Sequence, residues 1–132
     1  MTAEVIASGQ TALGIELGST RIKAVLIGPD HQVLATGGHS WENQFVDRLW
    51  TYSLESVWAG IQDCYAALAA DVRNTYGLEL TTVGSLGISA MMHGYLAFDA
   101  GGELLVPFRT WRNTNTGPAV DALSAAFIAT AP

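Results

Sequence analysis

The spacing of apolar residues changes along the chain, and each change marks an element. Short apolar runs at about 12–17, 22–27 and 33–38 predict strands, with Gly28-Pro29-Asp30 as one bend between them. Together they predict an antiparallel meander. From Ser53 to Tyr76 the pattern lengthens: Leu54, Val57, Trp58, Ile61, Tyr65, Leu68 and Val72 recur at helical spacing, and Gly77 supplies a stop. Val83, Leu86 and Ile88 then mark a strand over 83–89. Further strands are expected at 95–98 and 104–106 around the turn Asp99-Ala100-Gly101-Gly102-Glu103, and Pro118 opens a helix through Ala119, Leu123 and Phe127. Residues 1–11 read as a frayed terminus. The aromatic connector 41–50 carries too many polar residues to predict a fourth strand. The chain stops at Ala131-Pro132 within helical pattern and without a cap, as expected of a fragment.

Composition narrows the class. At 132 residues with 49% hydrophobic content, the chain suits one domain with a real core. Its net charge is −6, and its six basic residues, Arg21, Lys23, Arg48, Arg73, Arg109 and Arg112, are scattered along the sequence. No nucleic acid or membrane partner is expected from that pattern. No apolar run approaches the roughly 18 residues of a membrane span. Cys64 is the lone cysteine, which excludes an internal disulfide, and a start without a basic n-region predicts a cytoplasmic protein.

The candidate chemistry begins at Leu13-Gly14-Ile15-Glu16-Leu17-Gly18-Ser19-Thr20-Arg21-Ile22-Lys23. A phosphate needs convergent donors from a concave backbone, and its magnesium needs hard oxygen ligands, often reached through water. Gly18 permits the turn, Ser19 and Thr20 offer hydroxyls and N–H groups, and Glu16 is the only carboxylate within reach. Neither the Walker loop nor the dinucleotide fingerprint is present, and a strand follows the turn where a Rossmann unit would have a helix. An ordinary hairpin bend with a chance acid accounts for this segment equally well.

A second and a third segment bear on that choice. Gly87-Ile88-Ser89-Ala90-Met91-Met92-His93-Gly94, the bend at 99–103 and Thr110-Trp111-Arg112-Asn113-Thr114-Asn115-Thr116 follow the first motif in order. Together these segments, over roughly residues 12–120, resemble the FGGY family of carbohydrate kinases, closest in style to its xylulose kinase group. The resemblance implies an α/β, actin-like (ribonuclease-H-like) ATPase fold with a mixed sheet, incomplete here. Residues 12–132 are then the N-terminal actin-like domain of a sugar kinase whose second domain is absent.

The same resemblance implies ATP and Mg2+ as cofactors and a sugar or polyol whose hydroxyl is phosphorylated. It assigns Gly18, Ser19, Thr20 and Lys23 to the phosphates, Glu16 to the metal, and Met92, His93, Trp111 and Asn113 to the substrate. The family's catalytic aspartate is expected beyond residue 132, so the chain alone should not turn over. Glu16 stands where the family usually has aspartate, and Asn113 and Asn115 replace the charged members of its Trp-x-Asp-x-Arg pattern. The alternative is a non-catalytic actin-like module that binds ATP or sugar, and a homodimer is the candidate assembly. Read without the resemblance, His93 is a turn residue bonded to backbone, and one of Met91 and Met92 is core filler. Trp41, Trp50 and Trp58 read as packing between connector and helix. His31 and His39 read as solvated, Asp30, Asp47, Glu55, Asp63 and Asp71 as an acidic face, and Cys64 as a buried, inert thiol.

Overall fold

The computed structural model describes residues 1–130, so the expected helix end at Ala131-Pro132 lies outside the described residues. It divides into two compact units, one of Met1–Asn43 with Tyr52–Met92, the other of Gln44–Thr51 with the chain from His93 onward.

The first unit is built on strands β1 (Ala12–Leu17), β2 (Arg21–Ile27), β3 (Val33–Ser40) and a later strand, Ser85–Ala90. The three early strands form the expected meander, and Ser85–Ala90 lies parallel to β1 on its other side, so the sheet is mixed. Leu13, Ile15, Ile22, Ala24 and Leu26 alternate along β1 and β2 and are buried, each of the larger ones contributing roughly 1.5–3 kcal/mol to the core.

The helix Leu54–Tyr76 covers that face. Ser53 caps its start by accepting the Ser56 N–H at 3.0 Å, and Gly77 ends it in the left-handed conformation with φ 68°. Gly60, Cys64, Leu68 and Val72 recur every four residues and form its buried ridge. The ridge comes very close to β3, because a Cβ on Gly37 would lie 2.2 Å from the Cys64 carbonyl oxygen. Asp71 accepts the Thr36 N–H at 2.8 Å, and Asp63 Oδ2 meets His39 Nδ1 at 2.8 Å. These two aspartates and His39 therefore tie helix to sheet and are not merely solvated. Cys64 is fully buried, as expected.

The terminus differs from expectation. Residues Thr2–Ala7 form a helix, α1, because Ile6 has an apolar site to fill and is 1% exposed.

The second unit also corrects the sequence reading. Within 41–50 the chain makes a hairpin of β4 (Gln44–Val46) and β5 (Leu49–Thr51) in place of an irregular connector. Phe45 and Trp50 pair directly across it, their ring centroids 5.0 Å apart, a cross-strand contact that outweighs the polar composition. Its two-residue turn places Asp47 and Arg48 at φ 48° and 66°. With the hairpin in place, α2 is the helix Leu54–Tyr76 and β6 the strand Ser85–Ala90. The expected strands at 95–98 and 104–106 shrink to the bridges Tyr95↔Arg109 and Phe98↔Leu104. Between them Asp99 Oδ1 accepts the N–H groups of Gly101 and Glu103 at 2.8 and 3.0 Å and fixes the expected bend. Helix α3 (Gly117–Thr130) has Pro118 in its first turn, as expected.

Candidate functional site

In the first unit Glu16 faces Lys23 across the β1–β2 pair and Ser89 across the β1–β6 pair. Directly paired residues project to one face of a sheet, so the three side chains rise together. Lys23 Nζ lies 3.6 Å from Glu16 Oε2, and both side chains are more than half exposed, at 58% and 53%. They line a groove of about 750 Å³ whose walls also include Arg21. Gly14, Gly38 and Gly87 line it too, so no side chain fills it there. Arg21 lies across Gly38, where a Cβ would come within 2.8 Å of its Nη2.

The turn above this groove is held from behind. The Gly18 N–H donates to the Arg21 carbonyl at 3.0 Å, and a Cβ on Gly18 would lie 2.8 Å from that same oxygen. Trp41 Nε1–H donates to the Gly18 carbonyl at 2.8 Å, and the Trp41 N–H donates to the Thr20 carbonyl at 3.1 Å. The Tyr52 hydroxyl donates to the Ser19 carbonyl and accepts from Asn43 Nδ2 at 2.8 Å. The Trp41 and Tyr52 rings stack with centroids 4.2 Å apart, so the two donors act as one rigid support. With the carbonyls turned inward, the N–H groups of Ser19 and Thr20 meet no protein acceptor among the described residues. Convergent, unspent donors beside a carboxylate are what a metal-bound phosphate requires. Among the described residues no three His, Cys, Asp or Glu side chains cluster to hold a metal, so a cation at this groove would draw most of its shell from phosphate oxygens and water.

Trp41 and Tyr52 were missed as site residues in the sequence. Trp41 reads as packing and is buried, but its function is to hold the turn. Trp58, also read as packing, is 61% exposed.

The remaining expected residues divide between the units. Met92, 86% exposed, ends the first, whereas His93, Trp111 and Asn113 belong to the second. His93 and Asn113 line one cavity of about 520 Å³ with Thr110, Arg109 and Asn115. A second cavity of about 590 Å³ shares Arg109, Asn113 and Asn115 and adds Arg48, Trp50 and Arg112. Trp111 lines neither; the ring in the second cavity is that of Trp50, with the Arg112 guanidinium 3.8 Å from its centroid. Trp50, read as packing between connector and helix, thus joins a polar cavity. The Asn113 amide is committed to backbone, accepting from the Trp50 N–H and donating to the Trp50 and Thr110 carbonyls. Asn113 therefore builds the wall before it can touch a ligand. Arg48, Arg109 and Arg112 were not picked out from the sequence, although two of them flank Trp111.

Solved structures of several kinases share this fold. The xylulose kinase from Bifidobacterium adolescentis aligns with TM-score 0.70 at 15% identity, covering 93% of this chain and 22% of that one. The gluconate kinase from Lactobacillus acidophilus gives 0.69 at 16% identity, covering 89% and 23%. The Plasmodium falciparum glycerol kinase with ADP gives 0.66 at 14% identity, covering 87% and 23%. The chain thus spans less than a quarter of the length of each. At such identities the likeness establishes the fold, the actin-like arrangement expected from the motifs. No curated protein is detectably similar to the chain. The sequence profile of the N-terminal domain of the FGGY family of carbohydrate kinases matches residues 11–131, and the chain belongs to that family.

Proposed function

We propose that this chain is the N-terminal part of a cytoplasmic kinase that transfers a phosphoryl group from ATP to a hydroxyl of a sugar or polyol. The observation that carries the reading is the Gly18–Thr20 turn, whose carbonyls are taken by Trp41 and Tyr52 while, among the described residues, the N–H groups of Ser19 and Thr20 stay free beside Glu16. Those N–H groups and the two hydroxyls donate to phosphate oxygens, and Lys23 adds positive charge. Glu16 offers hard oxygens to hydrated Mg2+. Magnesium-bound ATP supplies the phosphoryl group, and neutralising its charge is the main catalytic demand.

His93 exchanges hydrogen bonds with acceptor hydroxyls, and Asn113 positions the wall behind it. The style of the motifs makes a ketopentose such as xylulose the first acceptor to try. The aspartate that takes the hydroxyl proton belongs to sequence beyond residue 132.

The test is ADP release by the parent protein, measured over ketopentoses, ketohexoses and polyols. Acceptor-dependent release is expected with at least one class; rates equal to the acceptor-free control throughout would overturn the reading.

A further inference from the structure

Arg48, Arg109 and Arg112, three of the six basic side chains of a chain with net charge −6, all line the cavity of about 590 Å³ in the second unit. Asp47 is the one acidic residue on its wall. Among the described residues none of the three arginines makes an ion pair. Gathering three like charges beside a single acidic residue costs energy. The β4–β5 turn holds Asp47 and Arg48 at positive φ, as a two-residue hairpin turn requires, and so fixes where Arg48 meets the cavity. Three guanidiniums at one cavity, none of them in an ion pair among the described residues, suit an anionic ligand.

The geometry suits an oxyanion. Arg112 lies over the Trp50 ring, which restricts the plane of its guanidinium, and a planar fork with fixed orientation matches the paired oxygens of a carboxylate or phosphate. Arg109, Asn113 and Asn115 line both this cavity and the one that contains His93, so the two share a wall of hydrogen-bonding side chains. We propose that the arginine-lined cavity binds an oxyanion carried at one end of a polyhydroxylated acceptor, a carboxylate or a phosphate, while the hydroxyls extend toward His93. That the anion belongs to an acceptor rests on the kinase reading; that the cavity binds an oxyanion does not.

The test uses three six-carbon probes that differ at one end: D-gluconate, D-glucitol and D-glucitol 6-phosphate. Each is titrated into the full chain while the Trp50 indole and arginine side-chain resonances are followed by NMR. At least one anionic probe should bind about tenfold or more tightly than D-glucitol and shift the Trp50 and Arg112 signals. Which anion wins identifies carboxylate or phosphate. Arg109→Gln and Arg112→Gln should each weaken it by about tenfold, with Arg109→Lys and Arg112→Lys losing less; Arg73→Gln should change nothing. The lysine variants separate lost charge from lost fold. Equal affinity for neutral and anionic probes, or indifference to both glutamine substitutions, overturns the proposal. Phosphorylation of neutral polyols by a protein that ignores the anions would sink this site and leave the kinase. Arginine-dependent anion binding with no phosphoryl transfer to any acceptor would sink the kinase and leave the site.

Discussion

Asn113 and Trp50 lie 63 residues apart, yet the Asn113 side chain pairs with the Trp50 backbone as a neighbouring strand would. The Trp50 N–H donates to Asn113 Oδ1 at 2.8 Å, and Asn113 Nδ2 donates to the Trp50 carbonyl at 2.7 Å. The amide closes the outer edge of β5 and so fixes the wall on which Trp50 and Arg112 stack. Replacing Asn113 by Leu strands the Trp50 N–H and should cost about 2–3 kcal/mol in urea unfolding of the second unit. Asn113→Asp keeps the acceptor, loses both donors and sets a carboxylate against the Trp50 carbonyl, so it should also destabilise. A loss below about 0.5 kcal/mol for the Leu variant would show that β5 does not depend on this side chain.

The same pair shows where sequence reasoning succeeded and where it stopped. The meander, the long helix with its Gly77 stop, and the strand after it were legible because period and turns are local signals. The Glu16 turn was legible as a motif. Its supports were not, since Trp41 and Tyr52 reach it from 23 and 33 residues away and nothing local marks an aromatic as a donor to a distant carbonyl. The β4–β5 hairpin was missed for a related reason: Phe45 and Trp50 stabilise it across the ribbon, while its residues read singly are polar. The arginine cavity unites residue 48 with residues 109 and 112, which scattered along the sequence look like surface charges.

Tyr52 should matter to the turn more than to the core. Tyr52→Phe keeps the ring stacked on Trp41 but removes the donor to the Ser19 carbonyl and the acceptor of the Asn43 amide. A stability loss of about 1–2 kcal/mol is expected, together with faster hydrogen exchange at the Ser19 and Thr20 amides. Lost stability with unchanged exchange there would make Tyr52 a packing residue only.

Gly37 sets the distance between sheet and helix. An added Cβ would sit 2.2 Å from the Cys64 carbonyl oxygen and 2.7 Å from the Leu68 nitrogen, both backbone atoms of α2 that cannot swing aside. Gly37→Ala should therefore cost about 3 kcal/mol or more, as overpacking does when the neighbour is backbone. Gly87→Ala is the control, because nothing lies within 4 Å of its added Cβ, and it should change the unfolding midpoint little. Equal effects of the two would refute close helix–sheet contact at Gly37.

Cys64 gives the fold a weakness at alkaline pH. Burial, and next the negative charge of Asp63, raise its thiol above the ordinary value of 9.0. The folded state thus holds the proton more tightly than the unfolded one. The stabilisation is complete below about pH 9 and is lost as pH rises through the folded thiol's own titration. Cys64→Ala should flatten the fall of Tm between about pH 9 and 11 relative to the native chain, whatever its cost at neutral pH. Identical slopes would show that another group controls the alkaline limb.

Glu16 separates structure from chemistry most cleanly. Its carboxylate is half exposed and its pair with Lys23 spans 3.6 Å, so losing the pair should cost less than about 1 kcal/mol. If Glu16 begins the magnesium shell, however, Glu16→Ala in the parent protein leaves charge on the transferring group uncompensated. Turnover should then fall by about 10²-fold or more, the scale of removing a preorganised electrostatic contact, with Tm nearly unchanged. Glu16→Gln keeps the shape and one oxygen but loses the charge, so it should fall with the alanine variant. Glu16→Asp, one methylene shorter, keeps the charge and should retain activity while raising the magnesium concentration needed for half-maximal rate. Full activity in the alanine variant would remove Glu16 from the metal and return the turn to a structural bend; activity in Gln but not Ala would make it a hydrogen-bond acceptor for water, with no direct charge role.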